Sequence, residues 1–271
     1  MDVIRFIESM YDDWLNHTQD LRSKQYKKLK NNFSASSSGS CYKQNIYKVL
    51  GAKKGEIKPI NNRIMRLGTI QHDDLEKATK YMIEKHNKDN ESEELKTDNL
   101  QFFIEEEILL PKYNLAGHLD IAILDRTTDH LIIIDYKTMN SRSWMFKFGT
   151  KYKKPQTNFR YEMQLSTYAM GMVDKINSIG YLNKVKSVDM YLLYINKDTS
   201  VWKLSQVDPK FIDETKEYWS EQLEMNELVD DLSLINEALP KDKLIGVPFE
   251  PWECQSKDGK TRYCSYVDIC R

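Results

Sequence analysis

Asp135 and Lys137 stand with one residue between them at the end of the apolar run LIIIDYK, and a second aspartate, Asp120, lies in the preceding segment LAGHLDIAIL. In a strand, residues two apart share a face, so Asp135 and Lys137 point the same way and Tyr136 points the other. A carboxylate in such apolar company needs compensation. Two carboxylates brought together repel each other unless a cation sits between them, and a hard, oxygen-preferring Mg²⁺ or Mn²⁺ suits that donor set. The Tyr136 backbone carbonyl could add a neutral oxygen. Lys137 would then orient or deprotonate an attacking water and offset charge gathering on the oxygens under attack. The chemistry is cation-assisted hydrolysis. Standing alone, however, a D-x-K tripeptide is a weak signal and reads more readily as two strand ends in turns and a solvated lysine.

These residues need a sheet to hold them. FFIEEEILL, LAGHLDIAIL and LIIIDYK are short segments rich in branched aliphatics, and the loop RTTDH between the last two predicts a hairpin that brings Asp120 beside Asp135. FRYEMQLSTYAMGMV then returns to helical spacing, VDMYLLYIN and VWKLSQV predict two more strands, and residues 208 to 238 predict helix. Upstream, residues 2 to 30 read as a helix packing Ile4, Ile7, Met10, Tyr11 and Trp14 into a core. SASSSGS (34 to 40) supplies turns, CYKQNIYKVLG a short helix closed by Gly51, and residues 62 to 86 a longer helix, followed by the polar connection DNESEEL (89 to 95). The expected fold is an α/β (α+β) protein with a central mixed sheet flanked by helices. We expect one domain over 1–271, with a helical part to residue 100, a core over 101–205, and a C-terminal helix and cysteine tail over 206–271.

Composition narrows the possibilities without deciding among them. Charged residues make up 30% of the 271, yet the net charge is −1, so any polyanion-binding surface must be local. It is found between Ser141 and Tyr161, where Arg142, Lys147, Lys151, Lys153, Lys154 and Arg160 occur without one acidic residue. They are interleaved with Trp144, Phe146, Phe148, Tyr152 and Phe159, a combination suited to phosphates and unstacked bases or, more plainly, to a solvated loop whose aromatics cover the core. The N-terminus lacks the features of a signal peptide, and the longest apolar stretch is too short to cross a bilayer, so a cytoplasmic protein with no membrane association is expected. In a reducing compartment the four cysteines, Cys41, Cys254, Cys264 and Cys270, favour metal or reactivity over disulfides.

Four motifs fall in order along the chain: GTIQHDDLE (68 to 76), GHLD (117 to 120), DYK (135 to 137) and QLSTY (164 to 168). Together they resemble the RecB-like branch of the PD-(D/E)XK nucleases, which includes the CRISPR-associated iron–sulfur exonucleases and the AddB helicase-nuclease. The resemblance implies a restriction-endonuclease-like core and a Mg²⁺- or Mn²⁺-dependent deoxyribonuclease, expected to act as an exonuclease on single strands or ends. His72, Asp120, Asp135 and the Tyr136 carbonyl would be the metal ligands. Asp120, Asp135 and Lys137 would be catalytic, with Gln164 and Tyr168, four apart on one helix face, contacting DNA or orienting Lys137. Glu76 shares the His72 face, and Glu105, Glu106 and Glu107 offer a further carboxylate or simply a charged strand edge. It also implies a [4Fe–4S] cluster on the four cysteines. Here nine residues separate Cys254 from Cys264 rather than the usual two, which leaves Zn²⁺ or no metal as alternatives. Other readings are a catalytically silent DNA-binding or adaptor subunit working with recombination or adaptation proteins, and a nuclease acting chiefly on RNA. Oligomeric state is not legible.

Overall fold

The computed structural model describes residues 3–25, 33–55, 59–88, 99–149, 159–178, 184–239, 264–266 and 268–270. The DNESEEL connection, Lys151, Lys153, Lys154, Tyr152 and Cys254 lie outside the described residues. The chain divides into two compact units: residues 33–40 with 71–227, and residues 1–32, 41–70 and 228–271. Among the described residues no helix is long and apolar enough to cross a membrane.

The first unit is built on a six-stranded mixed sheet. Its strands are β1 (Phe33–Ser34), β2 (Leu100–Leu110), β3 (Leu115–Asp125), β4 (His130–Met139), β5 (Ser187–Asn196) and β6 (Trp202–Val207). β2 and β3 pair antiparallel along their full length, β3 and β4 form the expected hairpin, β4 and β5 run parallel, and β5 and β6 run antiparallel. The RTTD turn closes on Asp129, which adopts a left-handed conformation (φ 57°), while Asp125 accepts from the Thr127 backbone and from the Thr127 and Thr128 hydroxyls. The parallel β4–β5 pairing requires a crossover, supplied by α4 (Ser141–Phe148) and α5 (Phe159–Ser178).

The β3–β4 ladder is short. It runs from Asp125↔His130 to Ile121↔Ile134 and stops there, so the strands part at Asp120 and Asp135. The β2–β3 ladder also skips one pair, Glu105 and Asp120, and Glu105 holds a positive φ of 49°. That left-handed residue shifts the alternation of β2: Phe103 and Ile108, an odd number of residues apart, are both buried. Backbone conformations of this kind are uncommon for residues other than glycine and persist only where the surroundings impose them.

α5 lies against the sheet through two glycines. A Cβ at Gly171 would come within 2.0 Å of Ile108 Cγ2, and one at Gly117 within 2.6 Å of the Ala35 Cβ and 3.0 Å of the Tyr168 ring. α6 (Phe211–Glu227) packs on α5, where the fully buried Trp219 donates its indole N–H to Thr167 Oγ1 (3.0 Å). The serine-rich turn after β1 is fixed from the same side, since Ser38 Oγ bonds Thr167 Oγ1 (2.8 Å) and Tyr218 donates to the Ser40 carbonyl (2.7 Å).

The second unit contains α1 (Val3–Gln25), α2 (Tyr42–Val49), the start of α3 (Pro59–Lys88) and α7 (Ile235–Ala238). As expected, Gly51 follows α2 in a left-handed conformation (φ 74°). The expectation for α1 is corrected. Ile4, Ile7, Met10, Tyr11 and Trp14 are exposed (Ile4 by 71%), whereas Leu15 is buried. α1 meets α3 through charge instead: Arg63 donates to both Asp12 oxygens (2.7 Å each) and to Glu8 (2.8 Å), and Arg66 stands over the Trp14 ring.

Candidate active site

The parting of β3 and β4 gathers the chemistry. Asp120 Oδ2 accepts from the Tyr136 backbone N–H (2.6 Å), replacing the ladder bond lost where the strands separate. Its other oxygen lies 3.4 Å from His72 Nδ1, which α3 delivers from the facing side. Asp135, nearly inaccessible (3% exposed), has Oδ2 2.6 Å from Lys137 Nζ, as strand alternation predicts. That approach pairs a buried carboxylate with the ammonium charge. Lys137 in turn donates to Gln164 Oε1 (2.9 Å), and Gln164 Nε2 donates to the buried Tyr168 hydroxyl (2.9 Å). Gln164 and Tyr168 therefore form a relay from α5 that grips the lysine.

Electrostatics tightens this arrangement. Burial pushes the Asp135 carboxyl up to about 6; Lys137 opposes the shift and Asp120 adds to it. Burial disfavours the Lys137 charge, but Asp135 and Asp120 more than offset it and raise its pKa. For His72 burial works downward, while the bond to Asp120 and the charges of Asp120 and Asp135 raise it overall. Carboxylates crowded into a low-dielectric place hold protons that a cation would displace. A buried Asp135 carboxylate that the Lys137 ammonium offsets, with the Asp120 charge close enough to oppose its ionisation, is the observation that fits a divalent ion. Asp120 and His72 present further donors beside it, and His72 would bind as neutral imidazole. Among the described residues no three such side chains converge closely enough to enclose an ion as they stand. The reason is visible in the contacts: Asp120 is turned to Tyr136 N and His72, and Asp135 to Lys137.

Two residues join the site that sequence reasoning passed over or left open. Glu105, at the left-handed break of β2, is pushed up to about 7 by burial and by the charges of Asp120 and Glu76. The signal in the sequence was weak because three glutamates stand in a row. The structure separates them: Glu105 stands across from Asp120 where the β2–β3 ladder skips a pair, Glu106 pairs with Lys175 on α5, and Glu107 lies opposite His118. Tyr161 places its ring 4.7 Å from the Lys137 ammonium, one helical turn before Gln164. Nothing in its spacing sets it apart from the other aromatics of that stretch.

Of the basic stretch, Arg142, Lys147 and Arg160 are described. Residues 141–148 form a helix, α4, rather than a loop, capped by Asn140, whose side chain accepts from Ser143 N (2.8 Å). Its aromatics turn inward, with Trp144 against Phe148 and Phe148 against Tyr194. Lys147 is half-buried 4.6 Å from the Tyr194 ring, and burial lowers its pKa. Arg142 stands over Phe146.

In the second unit, Cys41 precedes α2, and the tail turn 264–270 is bound to that helix. Tyr47 donates to the Ile269 carbonyl (3.2 Å) and stacks on Tyr266, and Gly55 N donates to the Ser265 carbonyl (2.8 Å). Cys41, Cys264 and Cys270 are half-buried. Burial pushes the Tyr47 hydroxyl up to about 12, and all three cysteines add to the shift, Cys270 most.

No curated protein matches the chain. Three solved structures are similar in chain path. The protein SSO0001 is 16% identical with a TM-score of 0.49, over 96% of each chain. The alkaline exonuclease LHK-Exo from Laribacter hongkongensis is 15% identical with a TM-score of 0.45, over 81% of this chain and 97% of that one. A candidate exonuclease from Eubacterium rectale is 13% identical with a TM-score of 0.43, over 79% and 84%. The family model of the PD-(D/E)XK nuclease superfamily, whose members generally use divalent metals, matches residues 48–271 and so takes in every residue assembled around Asp135. With that match and a mixed sheet that parts at an aspartate pair beside a lysine, the chain belongs to the PD-(D/E)XK nuclease superfamily.

Proposed function

We propose that the chain hydrolyses phosphodiester bonds in DNA with Mg²⁺ or Mn²⁺, acting on single strands or ends. The observation that carries the reading is the meeting of His72, Asp120, Asp135 and Lys137 where β3 and β4 separate. Bound there, a divalent ion would acidify a water and polarise a phosphoryl oxygen. Asp120 and Asp135 supply carboxylate oxygens to hold it, with His72 and the Tyr136 carbonyl as neutral donors. Glu105 adds a carboxylate from the opposite strand. Once Asp135 turns to the ion, Lys137 keeps its place through Gln164 and the Tyr161 ring, free to take the water's proton or to offset charge on the phosphate oxygens. Arg142, Lys147 and Arg160, with Lys151, Lys153 and Lys154, would meet the nucleic-acid backbone. Incubating the purified protein with Mg²⁺ or Mn²⁺ and end-labelled single-stranded DNA, duplex DNA and RNA tests the reading. Metal-dependent cutting of DNA, single strands first, is the expected result.

We propose also that Cys41, Cys254, Cys264 and Cys270 hold a [4Fe–4S] cluster. What supports the reading is the chain path: the tail turn that carries Cys264 and Cys270 is bound to α2, which Cys41 precedes, while among the described residues no three cysteines converge on an ion as they stand. Four thiolates are what such a cluster needs, and joining distant parts of the chain would stabilise the fold. Anaerobically purified protein should be brown and contain roughly four irons per chain. Colourless protein with stoichiometric zinc would replace the cluster with a Cys₄ zinc site.

A further inference from the structure

α3 carries more than a metal ligand. His72, Glu76, Lys80 and Glu84 follow one another at four-residue intervals and so share one face of the helix. Glu76 pairs with Lys80. Below that face, Leu100, Phe102 and Ile104 alternate along β2 and end next to Glu105. Between helix and strand lies a cavity of about 430 Å³, with Lys80, Ile83 and Glu84 on one wall, Leu100, Phe102 and Ile104 on the other, and Arg126 at its far end. Arg126 belongs to the β3–β4 turn and is held in place, its guanidinium donating to Gln101 Oε1 (2.8 Å) and its backbone N–H to the Asn99 carbonyl (2.8 Å).

The cleft runs along β2 toward the hydrolytic centre, its lining residue Ile104 preceding Glu105. On α3, His72 stands 3.4 Å from Asp120 two turns before Lys80, so one helix face leads from the carboxylates to the cleft. From Glu105 back to Leu100 the strand covers about 17 Å at its usual rise. The walls are mixed in a telling way. Its floor is apolar and aromatic and its rim carries two cations, the combination that takes a stacked base and its phosphate together. The cavity falls within the usual range for small-ligand pockets. Glu84 on the rim and Glu76 beside Lys80 temper the positive field, so contact with the base must supply much of the binding.

We propose that this cleft is a subsite for single-stranded DNA, holding one nucleotide a short way along the strand from the scissile phosphate. Its base lies against Phe102 and the neighbouring aliphatics, and its phosphate between Lys80 and Arg126. The subsite rests on the nuclease reading above and deepens it: an unpaired base can reach the apolar floor, whereas a base within a duplex cannot.

The test compares wild type with Lys80→Ala/Arg126→Ala, two exposed positions whose loss spares the core, and with Phe102→Leu, which keeps bulk and removes the aromatic face. Binding of fluorescein-labelled dT12, dT3 and a 12-base-pair duplex is measured without metal over a range of salt, and cutting of dT12 is measured with Mn²⁺. The double variant should bind dT12 about tenfold more weakly, with a salt slope lower by about 0.7, the release from the one single-strand phosphate held between them. Phe102→Leu should weaken dT12 severalfold while leaving that slope unchanged, and duplex binding should be unaffected in both. Wild type that cuts dT12, with a double variant that binds it with the same affinity and slope, overturns the cleft alone. Wild type that cuts nothing in Mn²⁺ overturns the hydrolytic reading, and the subsite with it.

Discussion

Replacing Gln164 by leucine removes the middle of the relay without changing the volume of the site much. Gln164 is 8% exposed, accepts from Lys137 at 2.9 Å and donates to the Tyr168 hydroxyl at 2.9 Å. Loss of a hydrogen bond to a charged donor costs about 1.5–3 kcal/mol, and a buried hydroxyl left without its partner about 1–3 kcal/mol. Tyr168 is only 4% exposed, so water does not readily replace the lost donor. Lys137 retains Asp135 and the Tyr161 ring, which keeps the total near the lower end, about 3 kcal/mol. For a chain of this size that is a fall in Tm of about 6–12 °C. Cleavage should fall further than stability explains, because a lysine with one tether fewer spends less time facing the attacked phosphate. Gln164→Glu separates the effects: it keeps an acceptor for Lys137 and an acceptor for the Tyr168 O–H, so cleavage should recover in large part. Thermal denaturation and single-turnover cleavage, run on both variants, make the measurement. Gln164→Leu with unchanged Tm and unchanged rate would refute the relay, as would a Gln164→Glu variant no better than the leucine.

Further outcomes follow from the same contacts. Gly171→Ala forces a methyl group against Ile108 Cγ2, and overpacking of that kind should cost about 1–3 kcal/mol, read as a lower urea midpoint with unchanged m. The pKa values of Asp135, Glu105 and His72 are all raised in the metal-free fold, so each contributes stability at acidic pH that is lost as pH rises through its folded value. Metal-free Tm should therefore decline between about pH 4 and 7, and Mn²⁺ should restore it more at pH 8 than at pH 5.5, where protons compete for the ligands; equal restoration at both would count against these ligands. Glu105→Gln should weaken Mn²⁺ binding and reduce its pH dependence, measured by calorimetry at pH 6 and pH 8.

Much of the sheet could be read from the chain because its signals are local. Branched aliphatics mark β2 to β6, RTTD marks the hairpin, and the period of two puts Asp135 beside Lys137. The motif spacing also pointed to His72 near Asp120 and to the Gln164 contact with Lys137. What escaped was set by tertiary packing. Glu105 is distinguished from Glu106 and Glu107 by a single left-handed φ that no propensity announces, and Tyr161 by the position of α5 over β4. α4 went unread because its basic and aromatic residues suit a surface loop as well as a short helix, and Asn140 as its cap was overlooked. The α1 stripe misled for the opposite reason. A helical period was present, but Arg63, an ordinary charge in sequence, decides which face meets α3.

The central claim is that Asp120, Asp135 and Lys137 act together on a phosphodiester through a divalent ion. The most direct measurement is single-turnover cleavage of end-labelled single-stranded DNA by wild type, Asp120→Ala, Asp135→Ala and Lys137→Ala, each with Mn²⁺ and with EDTA, after circular dichroism shows all four folded. Cutting by wild type in Mn²⁺ alone, with each variant slower by a factor of about 10² or more, is the predicted result. Cutting by wild type in EDTA, or by all three variants at the wild-type rate, would contradict it.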